Sequence, residues 1–295
     1  MIFALAAALS LVIGVVLGML GGGGAILTLP MLVYAVGVEP KTAIATSLFV
    51  VGATSIVGTS IHARAGNVRW RAGATLGVAA MAGAFAGGRI AHFIPATILL
   101  VLFGIVMVVT AVAMLRDRTE ASGEPRALRV FRMLGLGVAV GVLSGLVGAG
   151  GGFLIVPALI LFGGLAVRES IGTSLFVITV QSFAGFAGHV THVSLDWTLV
   201  LVITAAAVIG SVIGASAGEV ISPPRLRRAF AWLVIAMGLF MFVKQLPPAI
   251  AIAAAALTML AVLLTHVSNR SLAANTLPQS SPKPTSPKPI SPPMP

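Results

Sequence analysis

Residues 14 to 94 are matched, without a gap, by residues 127 positions further along the chain. Gly18, Gly21, Gly23, Gly24, Pro30, Ile44, Gly58, His62, Trp70, Gly83 and Gly87 recur as Gly145, Gly148, Gly150, Gly151, Pro157, Ile171, Gly185, His189, Trp197, Gly210 and Gly214. The run from Thr46 to Val50 recurs whole from Thr173 to Val177. Solenoid units are far shorter than this, so a period of this length in an apolar chain points to the paired halves of a secondary transporter.

Composition supports a membrane protein. Apolar residues make up 58% of the chain and charged residues 8%, with a mean hydropathy of +1.09, whereas soluble domains carry about 25% charged residues. The formal charge of +11 would suggest nucleic acid in a soluble domain. Here the arginines fall in short segments between apolar stretches, where they orient helices, and no nucleic-acid partner is expected. The absence of cysteine excludes disulfides, thiolate metal sites and cysteine nucleophiles. Residues 2–20 lack a positive segment before them and carry Gly14 and Gly18, matched by Gly141 and Gly145, so they are read as part of the fold rather than as a signal peptide.

Apolar stretches run over 2–20, 24–36, 41–61, 72–91 and 96–115, then 133–147, 150–165, 169–190, 197–218 and 226–244, with an unmatched one at 248–267. A helix over 41–61 rises about 31 Å and crosses the hydrocarbon core, whereas 24–36 rises about 20 Å and does not. The short piece is expected to be a half-helix or re-entrant segment. The fold class is therefore an all-α membrane protein of two inverted repeats, each of five helical segments with a glycine-broken hairpin, plus one extra C-terminal helix. The expected divisions are a first repeat at 1–115, a cytoplasmic linker at 116–132, a second repeat at 133–246, the extra helix at 247–268 and a disordered, proline-rich tail at 269–295.

Inversion is read from charge. Arg64, Arg69 and Arg71 align with Thr191, Asp196 and Thr198, while Arg225, Arg227 and Arg228 align with Ile98, Leu100 and Val101. Equivalent loops thus obey opposite charge rules, which places them on opposite membrane faces, with 62–71 and 219–228 cytoplasmic.

Each hairpin turns at a glycine cluster, Gly21 to Gly24 and Gly148 to Gly152, interrupted only by Ala149. Unwound backbone at membrane depth survives only when buried in protein or lining a wet cavity. A half-helix beginning at each cluster would turn free N–H groups and a positive dipole end toward that cavity, which suits an anion. The expected substrate-binding residues are Gly22, Gly23, Gly24, Thr46, Ser47, Gly150, Gly151, Thr173, Ser174 and Gln181. The hydroxyls and the Gln181 amide, which replaces Thr54, are neutral groups able to hold an oxyanion. Back-bonding of Ser and Thr to their own helix carbonyls is the competing use. His62 and His189 occupy equivalent helix ends and are candidate proton relays or plain interfacial hydrogen-bonding groups. Lys41 and Arg168 also correspond, and serve as anion attractors or snorkelling anchors. Trp70 and Trp197 read as interfacial anchors.

No Asp or Glu lies centrally in an apolar stretch, so carboxylate-based proton or sodium coupling is not expected. With neither a His/Asp/Glu cluster nor a Cys at membrane depth, no catalytic residue, metal site or cofactor is expected either. An inside-negative potential favours anion exit by about 2.3 kcal/mol per charge per 100 mV, so export needs no coupling carboxylate. The hairpins GVVLGMLGGGGAILTLPML and GVAVGVLSGLVGAGGGFLIVPAL, each followed by a TSLFV helix, closely resemble the TauE/SafE sulfite exporter family. The similarity covers residues 5–246. It implies a multi-pass transporter of the bacterial inner membrane that exports a small sulfur-containing oxyanion, sulfite or an organosulfonate. A carrier or channel for another small anion or an unrelated solute shares the architecture. The partners expected are a small anionic substrate and the lipid bilayer; the oligomeric state is left open.

Overall fold

The computed structural model describes residues 2–20, 26–115, 126–148, 150–152, 155, 156, 159, 164–217 and 223–275. Among these the chain is helical, with no strand. The long helices are α1 (Ile2–Leu20), α2 (Pro40–Arg64), α3 (Trp70–Ala91), α4 (Ala96–Leu115), α5 (Arg126–Val147), α6 (Val167–His189), α7 (Trp197–Ala217), α8 (Pro223–Gln245) and α9 (Pro248–Asn275). A short piece between α1 and α2 runs through Thr28–Pro30 and continues as a π-helix over Met31–Val36. It is far too short for the ~30 Å hydrocarbon core, as the length of 24–36 implied. Gly37, at φ 80°, ends it in a left-handed cap.

Helix starts follow local chemistry. Proline opens α2, α8 and α9, where its missing N–H has no partner to lose. The Glu39 carboxylate caps α2 by accepting from the Thr42 amide at 3.1 Å, and Asp196 caps α7 through the amides of Thr198 and Leu199 at 3.0 and 3.2 Å. Two expected boundaries move. Helix α5 begins at Arg126, inside the segment read as linker, and α9 continues to Asn275, inside the segment read as tail. In both places the chain holds Ala, Leu and Arg, good helix formers that extend a helix beyond the apolar span that hydropathy detects. Residues 276–295 lie outside the described set.

Four described helices are long and apolar enough to cross a membrane, at Pro40–Arg64, Trp70–Ala91, Arg168–His192 and Trp197–Ala215. Large apolar side chains such as Val78, Phe85, Ile105 and Ile252 stand exposed on the outside, which suits lipid rather than water.

Helices pack through glycine. A Cβ built on Gly14 or Gly18 of α1 would fall on the carbonyls of Ala207 and Ser211 of α7. Both indices rise together, so α1 and α7 run parallel. A Cβ on Gly141 or Gly145 of α5 would likewise fall on Ala80 and Ala84 of α3, again in parallel. The second set of contacts is the first with each partner displaced by 127 and the halves exchanged. Trp70 against Phe176 and Trp197 against Phe49, both edge-to-face, repeat the exchange. Helices α2 and α6 cross antiparallel, because Gly58 meets Leu175 while Gly185 meets Leu48. Helices α4 and α8 are antiparallel too, with Gly104 on Phe242 and Gly238 on Val108. Helix α9 rests on α8 and α4. Such close approach through small residues is how helices associate where lipid removes the hydrophobic drive.

Candidate functional site

The glycine cluster after α5 is unwound and buried. Gly148, Gly150 and Gly151 have φ of 73°, 65° and 64°, a region that residues with a Cβ rarely enter, so the expectation of a backbone break holds here. Two side chains from facing helices hold the break. The buried Ser47 hydroxyl of α2 reaches the Gly148 carbonyl at 2.9 Å and its own Ile44 carbonyl at 3.0 Å. The Gln181 amide of α6 donates through Nε2 to the Gly150 carbonyl. Turning that amide over would set its oxygen against the same carbonyl, so chemistry fixes its orientation. The donor read from the sequence as available to an oxyanion is therefore used on the backbone. Oε1 is left buried without a partner.

The other expected residues fall in several places. Gly22, Gly23 and Gly24 lie outside the described residues. Thr46 and Thr173 are buried on α2 and α6, and the Thr173 hydroxyl accepts from the Arg69 amide at 2.9 Å, which pins the 65–69 loop to α6. Ser174 bonds back to the Ile171 carbonyl at 2.8 Å, and Thr54 to those of Val50 and Val51 at 2.9 and 3.0 Å. Back-bonding is thus general in these helices, and Ser47 is distinguished by its reach across to Gly148.

The two histidines have different surroundings. His189 is buried, with Nε2 2.7 Å from the Gly145 carbonyl; a carbonyl only accepts, so that nitrogen carries a proton. His62 is half-buried and its Nδ1 has no partner. It stands on the wall of a small open cleft of about 40 Å³ between α1, α2 and α7, with Leu17, Thr54 and Ala215 on the same wall.

Charged groups collect at both ends of the bundle. Beside His62, the Arg69 guanidinium pairs with Glu169, whose hydrogen bond and charge push the arginine pKa further up. At the opposite end Lys41 donates to the His92 carbonyl at 2.8 Å, the His92 and His192 rings stack with centroids 4.2 Å apart, and Arg89 reaches Thr191 at 3.4 Å. This second group is not legible from the repeat, because His92 and His192 have no histidine at the equivalent positions, Glu219 and Ala65. The available signal was several basic residues at consecutive helix ends.

Comparison with known proteins gives one consistent result. A family model described as Sulfite exporter TauE/SafE matches residues 6–241. A probable membrane transporter protein of Xylella fastidiosa is 34% identical over 239 residues, covering 77% of this chain and 90% of the relative. One from Methanocaldococcus jannaschii is 31% identical over 260 residues, covering 81% and 96%. The probable membrane transporter protein YdhB of Bacillus subtilis is 29% identical over 209 residues, covering 69% and 85%. No solved structure matches the chain.

Proposed function

The chain belongs to the TauE/SafE sulfite exporter family and is a multi-pass cell-membrane transporter, and from that premise we propose that it exports a small sulfur-containing oxyanion, sulfite or an organosulfonate, across the bacterial inner membrane. The observation that carries the reading is the buried break at Gly148 to Gly151, held by Ser47 from the other half of the chain and by Gln181. A brace of this kind fixes an unwound turn where backbone amides can take an anion without a buried cation. Gln181 acts here as the brace, whereas Thr173 pins the 65–69 loop and Ser174 bonds back to the Ile171 carbonyl.

The two halves act as inverted repeats around this site. Supporting that reading, the equivalent helices α2 and α6 cross antiparallel, as do α4 and α8, and the α1–α7 contacts reappear as α5–α3 contacts with the partners exchanged. A pseudo-two-fold axis in the membrane plane relates the halves in this way. The loop at 62–71 is then cytoplasmic and the loop at 189–196 external.

Export is driven by membrane potential. Loaded with sulfite, proteoliposomes of the purified protein are expected to empty faster when a potassium diffusion potential makes the interior negative, and to do so without a pH gradient. Flux that ignores voltage and vanishes without a pH gradient would overturn the uniport. Flux of an equally charged carboxylate with none of sulfite would overturn the substrate class.

A further inference from the structure

Two polar groups beside the glycine turn have no partner, Ser144 Oγ and Gln181 Oε1. They are 1% and 0% exposed. Both flank Gly151, where an added Cβ would lie 2.9 Å from Gln181 Nε2 and 3.7 Å from Ser144 Cβ. A buried polar atom left without a hydrogen bond is unfavourable. Gln181 has no escape, because turning its amide sacrifices the bond to Gly150. Both groups are therefore at odds with the packing around them unless a second conformation supplies partners.

The 127-residue offset identifies that conformation. The open cleft is lined by Leu17 and Gly18 of α1, Thr54, Gly58 and His62 of α2, and Ala215 of α7. Their equivalents are Ser144 and Gly145 of α5, Gln181, Gly185 and His189 of α6, and Gly88 of α3. At these positions the helices are zipped. A Cβ on Gly88 would lie 2.6 Å from the Gly185 carbonyl and 3.1 Å from the Gly188 Cα, and His189 is tied to the Gly145 carbonyl at 2.7 Å. The same wall is open at the His62 end and shut at the His189 end; Ser144 Oγ and Gln181 Oε1 lie in the shut copy, while His62 Nδ1, also without a partner, faces the open one.

We infer that the face formed by Ser144, Gln181 and His189 is the wall of a second access cleft, closed in this structure, which opens as the His62 cleft closes. The inference rests on the inverted-repeat reading proposed above. Opening separates His189 from Gly145, so that its N–H and the Ser144 hydroxyl become donors for a small oxyanion while Gln181 Oε1 accepts from water. The first cleft carries Leu17 and Thr54 at those positions, so the second is the more polar of the two and the better anion site.

The chain has no cysteine, so a single near-isosteric replacement reports on this face. Ser144→Cys is to be reacted in reconstituted full-length protein with a membrane-impermeant, positively charged methanethiosulfonate applied from each side, alone and combined with either of two wedges. Gly88→Val props the zipped end open, and Ala215→Trp props the His62 cleft open. The expected modification comes from the side that labels position 196, about tenfold faster with Gly88→Val and about tenfold slower with Ala215→Trp, each a population shift of about 1.4 kcal/mol. Thr54→Cys is expected to respond oppositely to Gly88→Val and to label from the other side. A Ser144→Cys thiol that stays unreactive with both wedges, or that labels from the Thr54 side, overturns the second cleft. Sulfite flux of the unmodified protein is read in parallel: its loss would count against the substrate, while the labelling pattern reads the cleft without reference to any solute.

Discussion

Ser47 and Gln181 reach the same turn from helices in different halves of the chain, and each spends a donor on a glycine carbonyl. Replacing Ser47 by Ala leaves the Gly148 carbonyl buried and short of one partner, at a cost of about 1–3 kcal/mol. A lower unfolding temperature in detergent and slower sulfite efflux are expected; unchanged values in both would show that the turn holds itself. Gly150→Leu places a side chain at φ 65°, disfavoured by about 1–2 kcal/mol, in the space proposed for the anion. Transport is expected to be lost while the protein still reaches the membrane, and the same is expected of Gly23→Leu in the first cluster. Near-normal efflux in both variants would reduce the glycines to packing. That Gln181 matters was legible from its departure from Thr54 in the repeat. Which end of its amide faces the site was not, because that depends on the Gly150 carbonyl opposite it, a contact that no local pattern encodes.

Helix α5 contains glycines of two kinds. Gly135 has nothing within 4 Å of a built Cβ, whereas Gly141 and Gly145 lie on the carbonyls of Ala80 and Ala84. Gly135→Ala is therefore expected to raise stability by about 0.8–1.0 kcal/mol through helix propensity. Gly141→Ala is expected to lower it by about 1–3 kcal/mol through overpacking against α3. Thermal unfolding of the two variants in the same detergent separates these cases, and equal effects of one sign would contradict the contact. The apolar stretches located the long helices because apolar length is a local property. They could not sort the glycines of α5, since the α3 backbone those glycines meet is more than 50 residues away in sequence. Nor did they find the true start of α5 or the end of α9, where ordinary helix formers outlast the apolar span.

At the scale of the whole molecule the halves are interleaved rather than laid side by side: α1 packs on α7, α5 on α3, and α2 crosses α6. The 127-residue period was readable from the first half alone against the second. The exchange of partners was not, because a repeat gives equivalence without saying which copies touch. His62 and His189 show the consequence, being equivalent in sequence yet one beside a cleft and the other tied to Gly145. Replacing each by Gln in the efflux assay is expected to preserve voltage-driven flux at zero pH gradient; loss of a pH-dependent component in either variant would make that histidine a proton carrier. The proposed inversion of the halves in the membrane is open to a direct check with single cysteines at Arg69 and Asp196 in this cysteine-free chain, labelled with an impermeant thiol reagent in intact cells and in inside-out vesicles. Labelling of position 69 only from the cytoplasmic side and of position 196 only from the outside is expected, and labelling of both from one side would contradict the inverted arrangement.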